Sequence, residues 1–405
     1  MCDTDPELRE VYMGGAEPGD GRRWMGVGRS AESDSRAAAR AAARAAVRGA
    51  EPKLFIAFTA ITHDQAEVLA GLREVAGSVP VAGCTTNGEI GPGGPRDGTV
   101  TIAAIGGPGF TVSTAVAERA AGRQREAGAE AARCVEGLGD RPHRVLMLLT
   151  DGIVREQEAI LLGAYGVVGA AVPLFGGAAA DGWRMSGSYL YCDDRVHTDA
   201  VVGIAIGSEA PLSVAARHGW RKVGEPMIVT SSGNGRIQTL DDRPAMDVYL
   251  SRFDAPPEAY TDAAAFQRFA LPRPLGVQRR SGVEARNLNR VDIEGRSIGG
   301  GGAVAPGGLT WAMTGDEQSI LAATDAACHA AVEGLGGDAP IGMLTLSCAA
   351  LRTILGADGI EREGERIAKL ADGVPYAGFY TYGEIARVRG IDGFHNQTLA
   401  VLALA

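Results

Sequence analysis

Residues 79–90 read VPVAGCTTNGEI, and residues 374–385 repeat that stretch as VPYAGFYTYGEI. Eight of the twelve positions are identical, and residues 172–182, VPLFGGAAADG, keep the Val-Pro pair and the fifth-position glycine. A stretch that returns in this way indicates a chain built from repeated structural units. Because proline cannot donate to a β-ladder and glycine permits unusual turns or close approaches, we predict that each copy is a strand edge turning into a loop.

Short apolar runs alternate with helix-period segments around each copy. The strand-like runs are residues 54–59, 100–105, 144–150, 200–206, 341–347 and 398–404, and the helix-like segments are residues 34–48, 64–75, 349–355, 365–370 and one from about 156. Ser33 or Asp34 is expected to cap the first helix. The pattern predicts an α/β fold with mixed, largely buried sheets flanked by helices, built from repeated strand–helix–VPxxG–strand units.

From residue 231 the alternation of apolar runs and helix-period segments gives way to turn-rich stretches. Residues 231–235, SSGNG, form a turn-rich connector, and a proline-punctuated stretch and the glycine run at 299–302 follow. We therefore predict an N-terminal arm at residues 1–20, one α/β domain at 21–235 and a second at 236–405.

Composition excludes several classes of protein. The 405-residue chain carries a formal net charge of −10, which disfavours nucleic acid and anionic membranes as partners. No run approaches the roughly 20 apolar residues of a membrane span, and the start lacks the apolar core of a secretory signal. The six cysteines form no CxxC pair, as expected of reduced thiols in a cytoplasmic protein.

We call the repeated stretch, Val-Pro-x-x-Gly with its following residues, the frame. Its two full copies, residues 79–90 and 374–385, predict a binding site. If they face one another, a ligand between them meets one group from each copy: Cys84, Thr85, Thr86, Asn87 and Glu89 on one side, and Phe379, Tyr380, Thr381, Tyr382 and Glu384 on the other. A retained frame with different inner letters is typical of an asymmetric pocket, although a frame that serves only folding would look the same. The paired glutamates fit an ammonium site, acid/base roles or cation binding, and equally a structural role as acceptors for loop amides.

A second set of candidates lies outside the frame. Arg352 follows Cys348 by one helical turn if a helix begins there, so it would hold a ligand carboxylate and lower the thiol pKa. Cys84 and Cys348 fit redox partners, soft-metal ligands or a nucleophile, but buried inert cysteines give the same pattern. Asp181 follows a glycine pair at a predicted strand end, where open α/β sheets bind ligands, or else it caps the following turn. No zinc, phosphate-loop or other catalytic signature is recognised.

Several of these motifs resemble those of the FIST family of bacterial sensory proteins. They are Arg23-Trp24, the strand at 54–59 followed by His63-Asp64, GCTTNGEI at 83–90, LFGGAAAD at 174–181, Ser347-Cys348 with Arg352, AGFYTYGEI at 377–385 and FHNQT at 394–398. The resemblance runs from about residue 20 to the C-terminus. It implies a FIST N and a FIST C domain and intracellular sensing of a small ligand, with amino acids proposed for the family.

The resemblance also bears on cofactors and partners. A subset of relatives is associated with haem and nitric-oxide signalling, which makes His63 and His395 candidate haem ligands; simple loop hydrogen bonding explains either histidine as well. No other cofactor is predicted. Because the chain has no room for a kinase, cyclase or methyl-accepting domain, a separate signalling protein is the expected partner.

The sequence thus predicts a sensory protein that binds a small polar metabolite in a cleft between two domains. Two alternatives stay open: a metal- or thiol-dependent enzyme that uses the same cleft, and a haem-based nitric-oxide sensor.

Overall fold

The computed structural model describes residues 21–279, 282–302, 304–387 and 393–405. Its sheets, flanked by helices, confirm the predicted mixed α/β fold. The predicted N-terminal arm lies outside the described residues. Within those ranges, no helix combines the length and the apolar character that crossing a membrane requires.

Two successive segments of the chain have similar element orders. The first contains β1 (Trp24–Ser30), α1 (Ser35–Ala46), β2 (Pro52–Ala60), α2 (Gln65–Ala76), β3 (Val81–Thr86), β4 (Glu89–Ile90) and β5 (Val100–Gly106). The second contains β6 (Phe110–Glu118), α3 (Gln124–Ala132), β7 (His143–Thr150), α4 (Gln157–Val168), β8 (Leu174–Ala178), β9 (Leu190–Cys192), β10 (Arg195–His197) and β11 (Ala200–Ser208). A short 3-10 helix, Arg133–Leu138, follows α3.

A third segment follows the same order but is interrupted by an inserted sheet. It begins with β12 (Leu212–Arg217). The insertion contains β13 (Arg221–Gly233), β14 (Arg236–Leu240), β15 (Arg243–Pro244), α5 (Ala245–Ser251), the 3-10 helix Pro257–Tyr260, α6 (Ala263–Ala270), β16 (Leu275–Arg279), β17 (Gly282–Arg286), β18 (Arg290–Asp292), β19 (Ser297–Gly299) and β20 (Leu309–Thr314). The segment then resumes with α7 (Glu317–Glu333), β21 (Gly342–Cys348), α8 (Ala349–Ala371), β22 (Tyr376–Thr381), β23 (Glu384–Arg387), β24 (Phe394–His395) and β25 (Leu399–Leu404).

Strand pairing repeats in the three segments. The strand orders are β1-β5-β2-β3, β6-β11-β7-β8 and β12-β25-β21-β22, and in each the last two strands are parallel. The inner faces of these sheets share one apolar core, in which the rings of Phe58 and Phe379 lie 5.0 Å apart between centroids. Pairs of helices cover the outer faces.

The Val-Pro-x-x-Gly frame forms buried strands, so the prediction of a strand edge turning into a loop was wrong. The frame supplies β3, β8 and β22, and its glycines Gly83, Gly176 and Gly378 sit opposite residues of the parallel neighbour. A Cβ atom at any of the three would overlap a carbonyl oxygen of that neighbour. The glycine is therefore required by the close approach of two strands.

The end of each full frame crosses to a different sheet. β4 pairs with β22, placing Glu89 opposite Phe379, and β23 pairs with β8, placing Glu384 opposite Gly177. β9 in turn pairs with β3. These exchanges link the three sheets in a ring and bring the loop between β3 and β4 against the third segment.

The local helix signals agree with the structure. The Asp34 side chain accepts a hydrogen bond from the Ala37 amide (2.7 Å) and so caps α1. The predicted segments 349–355 and 365–370 both fall within α8, which is interrupted at Gly356, where φ is +66°. Glycine adopts this backbone conformation at little cost. The axis of α8 can therefore change direction at Gly356.

Candidate functional site

A cleft of about 630 Å³ opens between the β3–β4 loop and α8. Its lining comes from residues 60–62, 86–89, 97–98, 182–184, 352–353, 356–357 and 360. A further cavity beside β14 and β17 has only about 20 Å³, which is room for about one water molecule. The cleft is large enough for a metabolite, and it brings together four of the predicted site residues, which are Thr86, Asn87, Glu89 and Arg352.

Asn87 is held at the base of the cleft by its backbone. Its amide donates to the Tyr380 carbonyl (3.0 Å), and the Tyr380 amide donates to the Gly88 carbonyl (2.9 Å). The Asn87 side chain is 4% exposed, and its Oδ1 has no hydrogen-bond partner among the described residues. A buried oxygen without a partner costs about 1–3 kcal/mol.

Glu89 is fully buried at the same end of the cleft. One carboxyl oxygen accepts from the Thr86 hydroxyl, and the other accepts from the Thr99 amide (3.0 Å) and hydroxyl (2.7 Å). Burial raises the pKa of Glu89 to about 7, although these hydrogen bonds and the charge of Arg29 oppose the shift. The carboxyl is therefore poised between its neutral and ionised forms near neutral pH.

Arg352 projects from α8 into the cleft and is already engaged. It forms a two-point pair with Asp97, with Nη1 2.7 Å from Oδ1 and Nη2 2.5 Å from Oδ2, and it also donates to the Asn87 carbonyl. Its guanidinium lies 5.3 Å from the centre of the Tyr380 ring. Burial lowers the pKa of Arg352, but the Asp97 carboxylate outweighs this effect and raises it overall. The pair joins the β4–β5 loop to α8 across the cleft.

Trp183 stands at the rim in a strained conformation. Its φ is +66° and that of Met185 is +53°, values that non-glycine residues adopt at a cost of about 1–3 kcal/mol. The Asp181 carboxylate stabilises the loop by accepting from the amides of residues 185–187 and from the Tyr382 hydroxyl (2.6 Å). Burial would raise the pKa of Asp181, but these hydrogen bonds lower it overall. The result is a tryptophan that is 50% exposed beside the cleft.

Other predicted site residues serve the sheets and do not line the cleft. Thr85 accepts from the Tyr189 amide (3.0 Å), and Thr381 donates to the Ala178 carbonyl (2.6 Å). The Tyr380 hydroxyl donates to the buried Glu363 (2.8 Å). Of these residues, Tyr380 also holds the loop that carries Asn87, through its backbone.

The two thiols proposed for chemistry, Cys84 and Cys348, are buried, and burial favours their neutral form. Burial, with a smaller effect from Glu89, raises the pKa of Cys84 well above its usual value. Burial and the adjacent Glu384 do the same for Cys348, and Glu384 itself has a raised pKa because it is buried. A nucleophile or metal ligand must be a thiolate. Across the described ranges, no three His, Cys, Asp or Glu side chains gather as a metal-binding group.

Both candidate haem ligands, His63 and His395, have ring nitrogens at hydrogen-bond distance from other groups of the protein. His63 has Nδ1 3.2 Å from the Ser35 hydroxyl and Nε2 3.2 Å from the Gly98 carbonyl. His395 has Nε2 2.8 Å from the Ala386 carbonyl, and burial lowers its pKa. Neither ring lines the cleft. These surroundings do not fit an axial haem ligand at this site.

Comparison with known families divides the chain into two matched segments. Residues 53–243 match the FIST N domain, and residues 245–387 match the FIST C domain. The chain belongs to the FIST family. FIST domains are associated with sensory signalling, and in this FIST protein the matched N segment supplies Thr86–Glu89 while the C segment supplies Arg352.

Two curated relatives add sequence similarity without a known role. Over 235 residues this FIST protein is 28% identical to uncharacterised proteins of Mycobacterium tuberculosis, one from strain CDC 1551 and one from strain H37Rv. The match covers 56% of this chain and 59% of each relative.

Sequence reasoning missed Asp97, Trp183 and Arg184, which all line the cleft. Asp97 lies in the stretch GPGGPRDG at 91–98, whose composition indicates only a loop. Trp183 follows the predicted Asp181 by two residues, and an aromatic residue in a polar loop was the available signal.

Proposed function

We propose that this FIST protein is a cytoplasmic sensory protein that binds a small polar metabolite in the cleft and passes its occupancy to a separate signalling partner. The cleft is the observation that carries the proposal. Its FIST N side presents Asn87, with a buried oxygen that lacks a partner, and its FIST C side presents Arg352. Amino acids are the first ligands to test, because they are small and polar and carry both donors and acceptors.

A ligand held between these two segments has a direct route to a signal. It would contact the β3–β4 loop and α8 at once, so it would favour the arrangement in which both surfaces are correctly spaced. Arg352 is central to this coupling because it already bridges Asp97 and the Asn87 carbonyl. The break in α8 at Gly356 lies within the lining, and it gives the helix a point at which it can adjust.

The test is a thermal-shift screen of amino acids and small polar metabolites, followed by calorimetric titration of each hit. A ligand at 100 times its Kd that binds only the folded state stabilises it by about 2.7 kcal/mol. Ala357 is exposed and lines the cleft, so A357W is expected to obstruct part of the cleft and weaken binding. Ala368 is exposed on the same helix away from the cleft, and A368W is the matched control.

Three results would contradict the proposal. They are a screen without hits, a hit that binds A357W as tightly as the wild type, and a hit lost equally from A357W and A368W. Circular dichroism of both variants separates loss of binding from loss of folding.

A further inference from the structure

Arg184 is the charged residue of the cleft lining that is most available to a ligand. It is exposed at the rim beside Trp183, and its guanidinium has no hydrogen-bond or ion-pair partner within the described ranges. The other arginine of the lining, Arg352, is neutralised by its two-point pair with Asp97. The Glu89 carboxyl is fully buried, and both of its oxygens accept hydrogen bonds from the protein. Arg184 therefore supplies the positive charge that a ligand in the cleft would meet.

Thr62 and Asn87 add hydrogen-bond donors to the same cleft. Thr62 is exposed just after β2, and in the part of the chain that the structure describes its hydroxyl has no partner. The Asn87 amide oxygen is buried, so the amide nitrogen is the polar atom that this side chain can present to the cleft. The hydroxyls of Thr86 and Thr353 already donate within the protein. Together with Arg184, Thr62 and Asn87 give the cleft three side chains that can donate to a ligand.

Thr62 and Arg184 lie on adjoining parts of the cleft wall. A Cβ atom placed on Gly182 would lie 3.6 Å from Cγ2 of Ile61, so the end of β2 packs against the loop after β8. Thr62 is the next residue after Ile61, and Arg184 lies two residues beyond Gly182. A carboxylate has two oxygens and accepts several hydrogen bonds, so one such group can use a guanidinium and a neighbouring hydroxyl together.

Trp183 provides an apolar surface next to these donors. It is 50% exposed, and its ring lies 5.3 Å from the Tyr382 ring between centroids. Ile61 and Ile360 also line the cleft. An apolar or aromatic group placed on this surface would remove it from water, which is favourable. The lining therefore suits a ligand that has one anionic end and an apolar body.

We propose that the ligand is a small carboxylic acid in its ionised form, whose carboxylate accepts hydrogen bonds from Arg184 and Thr62 and whose apolar body packs on Trp183. This inference rests on the proposed function, because it names the chemical class of ligand for that cleft. An amino acid with an apolar side chain meets the requirement. The same acid without its ammonium group meets it as well, whereas the corresponding amine does not.

The experiment uses two sets of probes, each containing an amino acid, its deaminated acid and its decarboxylated amine. They are phenylalanine, 3-phenylpropanoate and phenethylamine; and leucine, 4-methylpentanoate and isoamylamine. Each probe is titrated calorimetrically into the wild-type protein. In each set the deaminated acid is expected to bind at least about ten-fold more tightly than the amine, a difference of about 1.4 kcal/mol.

The outcomes separate this inference from the proposed function. If any set shows binding but its deaminated acid binds no more tightly than its amine, the carboxylate assignment is overturned and the proposed binding function stands. Absence of binding by all six probes overturns the carboxylate assignment. Together with a metabolite screen without hits, it overturns the proposed function as well.

Variants of the two donors provide a second arm. R184Q removes the charge and is expected to weaken binding of the deaminated acid at least about ten-fold, which is about 1.4 kcal/mol, while the affinity for the amine does not fall. T62V removes the hydroxyl and keeps the shape of the side chain, and it is expected to weaken binding of the acid several-fold.

The matched controls are R44Q and T198V. Arg44 and Thr198 are exposed and lie outside the lining of the cleft, so these variants are expected to bind the acid as the wild type does. Unchanged binding of the acid by folded R184Q, or an equal loss in R44Q, would contradict the proposal. If circular dichroism shows that R184Q does not fold, T62V against T198V decides in the same way.

Discussion

Asn87 and Tyr382 occupy the same position in two copies of one frame, yet their surroundings differ. Asn87 borders an open cleft and has an amide oxygen without a partner. Tyr382 fills its surroundings: its hydroxyl donates to Asp181 (2.6 Å), and its ring lies 5.3 Å from that of Trp183. At this one position of the frame, Asn87 leaves a polar atom without a hydrogen bond beside an open cleft. Tyr382 fills the equivalent position, and its hydroxyl is hydrogen-bonded.

Two of the residues that are identical in both copies have equivalent surroundings. Glu89 accepts from the Thr99 amide (3.0 Å), and Glu384 accepts from the Thr398 amide (3.1 Å). Gly83 and Gly378 both sit where a side chain would meet the neighbouring strand. The comparison teaches that Gly83 and Gly378 serve the packing of the sheets in both copies, while the difference between Asn87 and Tyr382 changes what each copy presents at the equivalent position.

The largest expected effect comes from breaking the shared frame. In G378A the new Cβ overlaps the Thr345 carbonyl oxygen, so we expect a loss of about 3 kcal/mol or more in the free energy of unfolding, measured by urea denaturation. Gly166, in α4, has open space around its Cβ position, and G166A is expected to gain about 0.5–1 kcal/mol. A G378A variant within 1 kcal/mol of the wild type would contradict the role assigned to the glycine.

Glu89 predicts a specific dependence of stability on pH. Its pKa is about 7 in the folded protein against 4.5 for the unperturbed group, so between these values the folded state binds more protons than the unfolded state. Its contribution to stability therefore falls as pH rises through this window, by about 3–4 kcal/mol in total, and is constant above it. Glutamine resembles the neutral carboxyl and does not titrate, so in E89Q this decrease in stability with rising pH should be absent.

The measurement is urea unfolding of the wild type and E89Q at pH 5 and pH 8. The free energy of unfolding of E89Q minus that of the wild type should be larger at pH 8 than at pH 5. E225Q changes an exposed glutamate and should follow the wild type. Equal pH dependence of E89Q and the wild type would show that Glu89 is not the group responsible.

Tyr382 tests the filled side of the comparison. Y382F removes the hydroxyl that donates to Asp181 and is expected to lower the free energy of unfolding by about 1–2 kcal/mol. Y382N also removes the ring and is expected to lower it by about 2–3 kcal/mol. Trp183 is the exposed tryptophan of the described residues, so Y382N should also increase acrylamide quenching of tryptophan fluorescence. Unchanged stability in both variants would remove the contrast with Asn87.

Asp97 gives the smallest expected effect. Its pair with Arg352 is largely solvent-exposed on the aspartate side, so D97N should cost less than about 1 kcal/mol, and less still at high salt. E317Q breaks the exposed pair between Glu317 and Arg362 and is the matched control. A loss of several kcal/mol in D97N alone would mean that this pair, more than the frame, holds the walls of the cleft in place.

Much of the fold could be predicted from the sequence because its signals are local. The apolar run at 54–59 lies within β2, and Asp34 caps α1 as expected. The frame was misinterpreted because a glycine needed for a turn and one needed for close strand contact look identical in sequence. The pairing of β4 with β22 depends on packing between distant parts of the chain, which no local pattern encodes.

The candidate site was predicted in part for the same reason. Thr86, Asn87 and Glu89 stood out because they lie in a repeated stretch, and Arg352 because it follows Cys348 by one helical turn. The structure places all four around one cleft. That they bind a ligand remains a prediction. Asp97 could not be found, because its partner Arg352 lies 255 residues away along the chain.

Native mass spectrometry after incubation with the best ligand of the screen tests the central claim most directly. The wild type and A368W are expected to carry one ligand per chain, and folded A357W is expected to carry less, because its new side chain obstructs the cleft between the β3–β4 loop and α8. Equal ligand occupancy of A357W and A368W would contradict the assignment of this cleft as the binding site.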